Sequence, residues 1–130
     1  MIAVDTNIVV RLIVDDNQGQ IAAIRALLER QAFLVPLTVL LECYWVLKSR
    51  YSYSDEQIGS ALVGLSNLDG ISFQGGNRAN WALERFQAGA DFADVIHVAA
   101  SEDVTVFATF DRLIERRAGS ECPLGIMTLT

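Results

Sequence analysis

Short β-rich apolar runs alternate with stretches of helical periodicity along the chain, and this alternation restricts the fold more than any other feature. The apolar runs are Met1-Ile2-Ala3-Val4, Phe33-Leu34-Val35, Ile71-Ser72-Phe73, Val104 to Phe110, and a last one near Gly125 to Leu129. Between them, Ile21, Ile24, Leu27 and Leu28 recur at helical spacing. Thr38 reads as a helix cap ahead of Val39 to Leu47. Ser54 and Gln57 match a capping box ahead of Ile58, Ala61, Leu62 and Leu65. Asn77 reads as the cap of a helix carrying Trp81 and Phe86, and a further helix is expected from about Ala93 to Asp103. Strands alternating with helices predict a parallel sheet covered on both faces. The expected architecture is α/β in three layers, α/β/α, with residues 1–130 forming a single domain whose core draws on 52% hydrophobic residues.

No apolar run approaches the roughly 18 residues of a membrane span. The N-terminus lacks a basic region followed by a signal-type apolar segment, so a cytoplasmic location is expected. Cys43 and Cys122 show no CxxC spacing and read as idle thiols rather than a disulfide or a zinc site. A net charge of −6, with Lys48 the single lysine beside nine arginines, argues against a broad cationic face for nucleic acid. Clustered acids would still leave a few arginines to form a local phosphate-binding rim.

The chemistry gathers on acids. Ligands bind outside the carboxyl ends of the strands in an open parallel sheet. Asp5 ends the first strand and Asp111 ends the long β-rich run, so both are expected at that edge. Asp94 lies at the beginning of the helix expected within the apolar run Asp91-Phe92-Ala93-Asp94-Val95-Ile96-His97-Val98-Ala99-Ala100-Ser101, where its side chain can face the same edge. Glu42 is the only charge in Val39 to Leu47, a run apolar enough nearly all round to be expected inside, where an unpaired carboxylate costs several kcal/mol. If the four converge, two carboxylates about 4 Å apart repel by about 4 kcal/mol at an effective dielectric of 20. A divalent cation relieves that conflict, and all-oxygen ligation selects a hard ion such as Mg²⁺ or Mn²⁺. Such an ion can lower the pKa of a water and aim it at a phosphodiester. Plainer readings stand beside these. Asp5, Asp91 and Asp111 each suit a helix N-cap, Asp94 suits a first-turn dipole charge, and His97 amid Val95, Ile96, Val98 and Ala99 suits a core histidine.

Taken together, Ile2-Ala3-Val4-Asp5-Thr6-Asn7, Glu42, Asp91 to Ala100, and Thr109-Phe110-Asp111 resemble PIN-domain proteins, most closely the small VapC-type toxins of toxin–antitoxin pairs. The likeness runs the whole chain in order and spacing. It implies a PIN-like fold with a parallel sheet of about five strands, one acidic site, and Mg²⁺- or Mn²⁺-dependent endoribonuclease activity. By position, Asp5, Glu42, Asp94 and Asp111 match the family's acidic set, and Asp5 and Asp94 match its usual direct metal ligands. Thr6 and Thr109 match small polar supporting positions, while Asp91 is a cap that can line the site. The resemblance also implies an RNA substrate, a cognate DNA-binding antitoxin of the VapB kind, and a homodimer. A haloacid-dehalogenase-type phosphatase would need a second Asp at position 7, which is Asn, and a lysine beyond Lys48, which is missing; a receiver-like domain fails for the same lysine. The alternative of another class is a catalytically silent PIN-like domain that binds RNA or a protein partner.

Overall fold

The computed structural model describes residues 1–130, and the chain divides into two units, Met1–Gln74 and Gly75–Thr130. The first unit runs β1 (Ile2–Ala3), α1 (Thr6–Val14), α2 (Gln18–Arg30), β2 (Phe33–Val35), α3 (Leu37–Arg50), α4 (Asp55–Ser66) and β3 (Ile71–Phe73). β2 is the central strand, parallel to both neighbours, with Phe33 opposite Ile2 on one side and Ile71 on the other. The second unit runs α5 (Asn77–Gln87), α6 (Phe92–Ala100), β4 (Val106–Thr109), α7 (Arg112–Ala118) and β5 (Gly125–Thr128). β4 pairs with β5 in parallel, Val106 opposite Gly125 and Thr109 opposite Thr128. Every pairing is parallel, as the alternation predicts. The five strands are hydrogen-bonded as a set of three and a pair, one set in each unit.

The core of the first unit follows from period-2 and period-3.6 placement. Phe33 and Val35 bury their side chains, and Leu40, Leu47, Ile58 and Leu62 on α3 and α4 are wholly enclosed. Helix α3 departs from expectation. It buries one face, Leu37, Leu40, Cys43, Tyr44 and Leu47, and leaves Glu42 and Trp45 exposed. Its apolar composition suggested enclosure all round, yet residues three and four apart suffice to cover the sheet, and the opposite face stays in solvent.

Helix termini explain most boundary differences. Pro36 rather than Thr38 is the N-cap of α3, and since proline has no side-chain acceptor, Gln74 Oε1 accepts from the Leu37 N–H at 3.0 Å instead. Gly76 precedes α5, so Asn77 is its first residue and not its cap. α6 stops at Ala100, short of Asp103: Ser101 Oγ donates to the His97 carbonyl at 2.8 Å, and Asp103 takes a left-handed φ of 62° that cannot continue a helix. The capping box of α4 is formed as expected, with Ser54 and Gln57 bonded reciprocally.

Gly89 sets the turn between α5 and α6. Its φ is +107°, and a Cβ there would lie 2.8 Å from Arg117 Nη1, which reaches over to donate to the Ala88 carbonyl at 3.3 Å. This fixes the chain just ahead of Asp91.

Both cysteines are free. Cys43 is fully buried, its Sγ donating toward the Thr6 carbonyl at 3.9 Å. Burial first, then the charges of Glu42 and Asp5, push its thiol up to about 12. At neutral pH the native protein is therefore expected to take up one equivalent of an alkylating reagent, at half-buried Cys122, and two after denaturation. Mass spectrometry checks this; two equivalents on the native protein would show that Cys43 is reachable.

Candidate functional site

In the first unit the site residues gather where α1 packs on α3. Asp5 has extended backbone beyond β1, and its Oδ1 accepts from the Ile8 N–H at 3.2 Å, capping α1. The cap reading thus holds, and it occupies one oxygen of an exposed carboxylate, leaving Oδ2 outside the cap. Thr6, next in sequence, is the buried polar side chain of the chain at 8% exposed, and its hydroxyl donates to Glu42 Oε1. A threonine has a restricted χ1, so this bond fixes an otherwise mobile glutamate on the outward face of α3. The expectation that Glu42 is enclosed is corrected, and with it the need for a charge to compensate it. The carboxylate is exposed, and a neutral hydroxyl holds it. Asp5 and Glu42 both lie near enough to Cys43 for their charges to act on its thiol.

In the second unit Asp91 caps α6, its Oδ2 accepting from the Asp94 N–H at 3.0 Å. Asp94 sits half-buried in the first turn above Val95, Ile96, Val98 and Ala99, which are buried. Its carboxyl is pushed above the ordinary range, first by burial, then by the charges of Asp91 and Asp111, with His97 opposing. Asp111 caps α7, Oδ1 accepting from the Leu113 N–H at 2.9 Å. Its own N–H donates to Thr109 Oγ1 at 2.9 Å, so Thr109 supports the turn that presents Asp111. His97 is exposed, not in the core, because it falls on the outer face of a helix whose inner face is Val95, Ile96, Val98 and Ala99. Phe110 is a residue that the apolar pattern hid. It lies beyond β4, and it is 74% exposed.

The ion pairs of the chain are Arg11 with Asp16, Lys48 with Asp55, and Arg78 with Glu102, and none uses Asp5, Glu42, Asp94 or Asp111. Within neither unit do three His, Cys, Asp or Glu side chains stand together as a metal-holding group. The first unit brings together Asp5, Thr6 and Glu42; the second brings Asp94 within electrostatic reach of Asp91 and Asp111. The available donors are carboxylate and hydroxyl oxygens. The one thiol nearby is buried and held protonated at neutral pH, and no second histidine accompanies His97. Such a donor set fits a hard cation with oxygen ligands and does not fit zinc.

No helix is long and apolar enough to cross a membrane. No curated protein sequence matches the chain. The PIN domain family matches residues 2–120. The chain belongs to the PIN domain family.

Proposed function

We propose that the protein is a Mg²⁺- or Mn²⁺-dependent endoribonuclease that hydrolyses RNA phosphodiester bonds as the toxin of a VapC-type toxin–antitoxin pair. PIN domains are generally metal-dependent nucleases, which supports the reaction class. One observation carries the reading for this chain: Asp5, Glu42, Asp94 and Asp111 are exposed or half-buried, and no Lys or Arg neutralises any of them. Carboxylates left free of Lys and Arg are available to a divalent cation.

In this proposal Asp5 and Asp94 would hold the ion directly, and Glu42 and Asp111 would hold its waters or a second ion. A bound Mg²⁺ or Mn²⁺ supplies Lewis acidity toward the phosphate and eases deprotonation of the attacking water. The chain's own residues do the positioning. The Thr6 hydroxyl sets the Glu42 rotamer, the Ile8 N–H turns Asp5 Oδ1 away so that Oδ2 is presented, and the Thr109 hydroxyl fixes the Asp111 turn. Burial and the charges of Asp91 and Asp111 raise the Asp94 carboxyl, and a cation held there would favour its ionised form. The 130 residues act as one cytoplasmic domain and a homodimer, silenced by a VapB-like antitoxin, in the same proposal.

The test is purified protein, free of antitoxin, incubated with total RNA. Cleavage is expected with Mg²⁺ or Mn²⁺ and none in excess EDTA. Cleavage that persists in EDTA, or fails with both metals while RNA is still bound, would sink the proposal; the latter outcome favours a silent RNA-binding domain. Thr6→Val is expected to lower cleavage about 10–100-fold, the usual effect of losing an outer hydrogen bond to a metal site. It should cost only about 1 kcal/mol in urea unfolding. Unchanged cleavage would remove Thr6 from the site.

A further inference from the structure

We propose that Phe110, Arg112 and Arg116 form a binding surface for single-stranded RNA, with Phe110 stacking on a nucleobase and the two arginines holding adjacent phosphates. The choice of RNA rests on the ribonuclease reading above; the surface itself rests on separate observations.

Phe110 has the largest exposure of any large apolar side chain in the chain, 74%. A folding role does not account for it, since a ring so exposed gains little from burial. Its backbone, by contrast, is pinned. On one side the Asp111 N–H donates to Thr109 Oγ1, and on the other Asp111 Oδ1 accepts from the Leu113 N–H. The ring is thus displayed from a fixed turn, and little backbone freedom is lost when something packs against it.

Arg112 and Arg116 are four apart on α7 and share one face. Both are exposed, and neither takes part in an ion pair or hydrogen bond of the chain. Their helical neighbours are occupied elsewhere. Glu115 Oε2 accepts from Thr128 Oγ1 at 2.8 Å, and Arg117 Nη1 donates to the Ala88 carbonyl at 3.3 Å. In a chain of net charge −6, two uncommitted arginines two and six positions after an uncovered aromatic ring are a local exception. Aromatic stacking with flanking cationic groups is how proteins hold unpaired RNA bases and their backbone. Asp111 lies inside the same run, and its charge reaches Asp94, so a strand stacked on Phe110 would pass beside the acids of this unit. Exposed Leu113, at 54%, is the feature that would suit a protein partner instead. Arginine and phenylalanine are common in protein interfaces as well, so a protein contact is one of the outcomes that the test below reads.

Fluorescence anisotropy with a labelled single-stranded RNA oligonucleotide, in an Asp94→Asn background with Mg²⁺ so that the probe stays intact, tests the surface. Phe110→Ala and Phe110→Leu are each expected to weaken binding roughly tenfold, and Phe110→Trp to retain it, since stacking and not apolarity is required. Arg112→Gln with Arg116→Gln is expected to lower the slope of log K against log salt by about 1.4, about 0.7 for each phosphate no longer neutralised. Wild-type affinity in Phe110→Leu, or an unchanged salt slope, overturns the proposal. So does unchanged RNA affinity in Phe110→Ala with a dimer converted to monomer in light scattering, which would mark a protein interface. Melting temperatures within error of the parent exclude misfolding, as expected for surface changes. Total-RNA cleavage by otherwise wild-type protein separates the two readings. Cleavage intact with indifferent Phe110 variants sinks the surface alone. No cleavage with ring-dependent binding sinks the nuclease alone.

Discussion

Asp94→Asn is expected to abolish metal-dependent RNA cleavage and to leave the folded state as stable as before or more so. The loss should be about 100-fold or larger, because replacing even an outer-shell partner of a metal site costs 10–100-fold. Stability should move the other way. Burial and the charges of Asp91 and Asp111 raise the Asp94 carboxyl, so the folded state disfavours its ionised form. A group raised on folding lends stability below its unfolded pKa and withdraws it as pH climbs through the folded value, so at neutral pH the charge is a burden. Asparagine removes the charge and keeps the shape. Asp5→Asn should match the loss of cleavage while preserving the cap, since asparagine caps as well as aspartate. Asp91→Asn keeps its cap for the same reason and should keep most of the cleavage. The checks are Mn²⁺-dependent cleavage of total RNA and the thermal midpoint of each variant. Equal cleavage by wild type and Asp94→Asn would mean a contaminating nuclease and end the assignment. A clear fall in the Asp94→Asn midpoint would mean the carboxylate serves the fold.

How much of this was legible depends on how local the determinant is. The three aspartate caps, the Ser54–Gln57 box and the strands Phe33–Val35 and Ile71–Phe73 are set by residues within one turn or one strand, and all could be read from sequence. Parallel pairing followed from the helices between strands. Which face of a helix meets the core is not local. Glu42 and His97 both looked enclosed because their neighbours are apolar, yet a helix needs only one covered face, and each falls on the other. Phe110 was masked the same way, as the last apolar residue of a run whose paired part ends at Thr109. The hydroxyl that meets Glu42 comes from 36 residues away, a distance over which periodicity carries no information. Asp5, Asp91 and Asp111 also show that cap and site readings are not rivals. A cap uses one oxygen, fixes the carboxylate at the end of an element, and leaves the other oxygen to face outward.

The largest loss of stability in the second unit is expected from Phe92→Ala, about 3–5 kcal/mol. Phe92 is the first residue of α6, 1% exposed, and meets Phe86 of α5 edge-on at 4.9 Å between ring centres and 71° between planes. Alanine would leave a cavity between helices whose packing fixes where α6 begins. Asp91 and Asp94 flank that point, so the same ring that holds the core holds the acids in register. Against a typical total of about 5–15 kcal/mol, such a loss is a large share of the whole. Urea unfolding measures it, and Phe92→Leu, which keeps most of the volume, should cost about 1.5 kcal/mol or less. The two classes of variant then separate. Asp94→Asn should lose cleavage at every temperature with its midpoint kept, whereas Phe92→Ala should lose cleavage in step with unfolding and recover part of it on cooling. A loss below about 1 kcal/mol in Phe92→Ala would show that the neighbouring helices collapse onto the gap, and α6 would then owe its position to Val95, Ile96 and Val98.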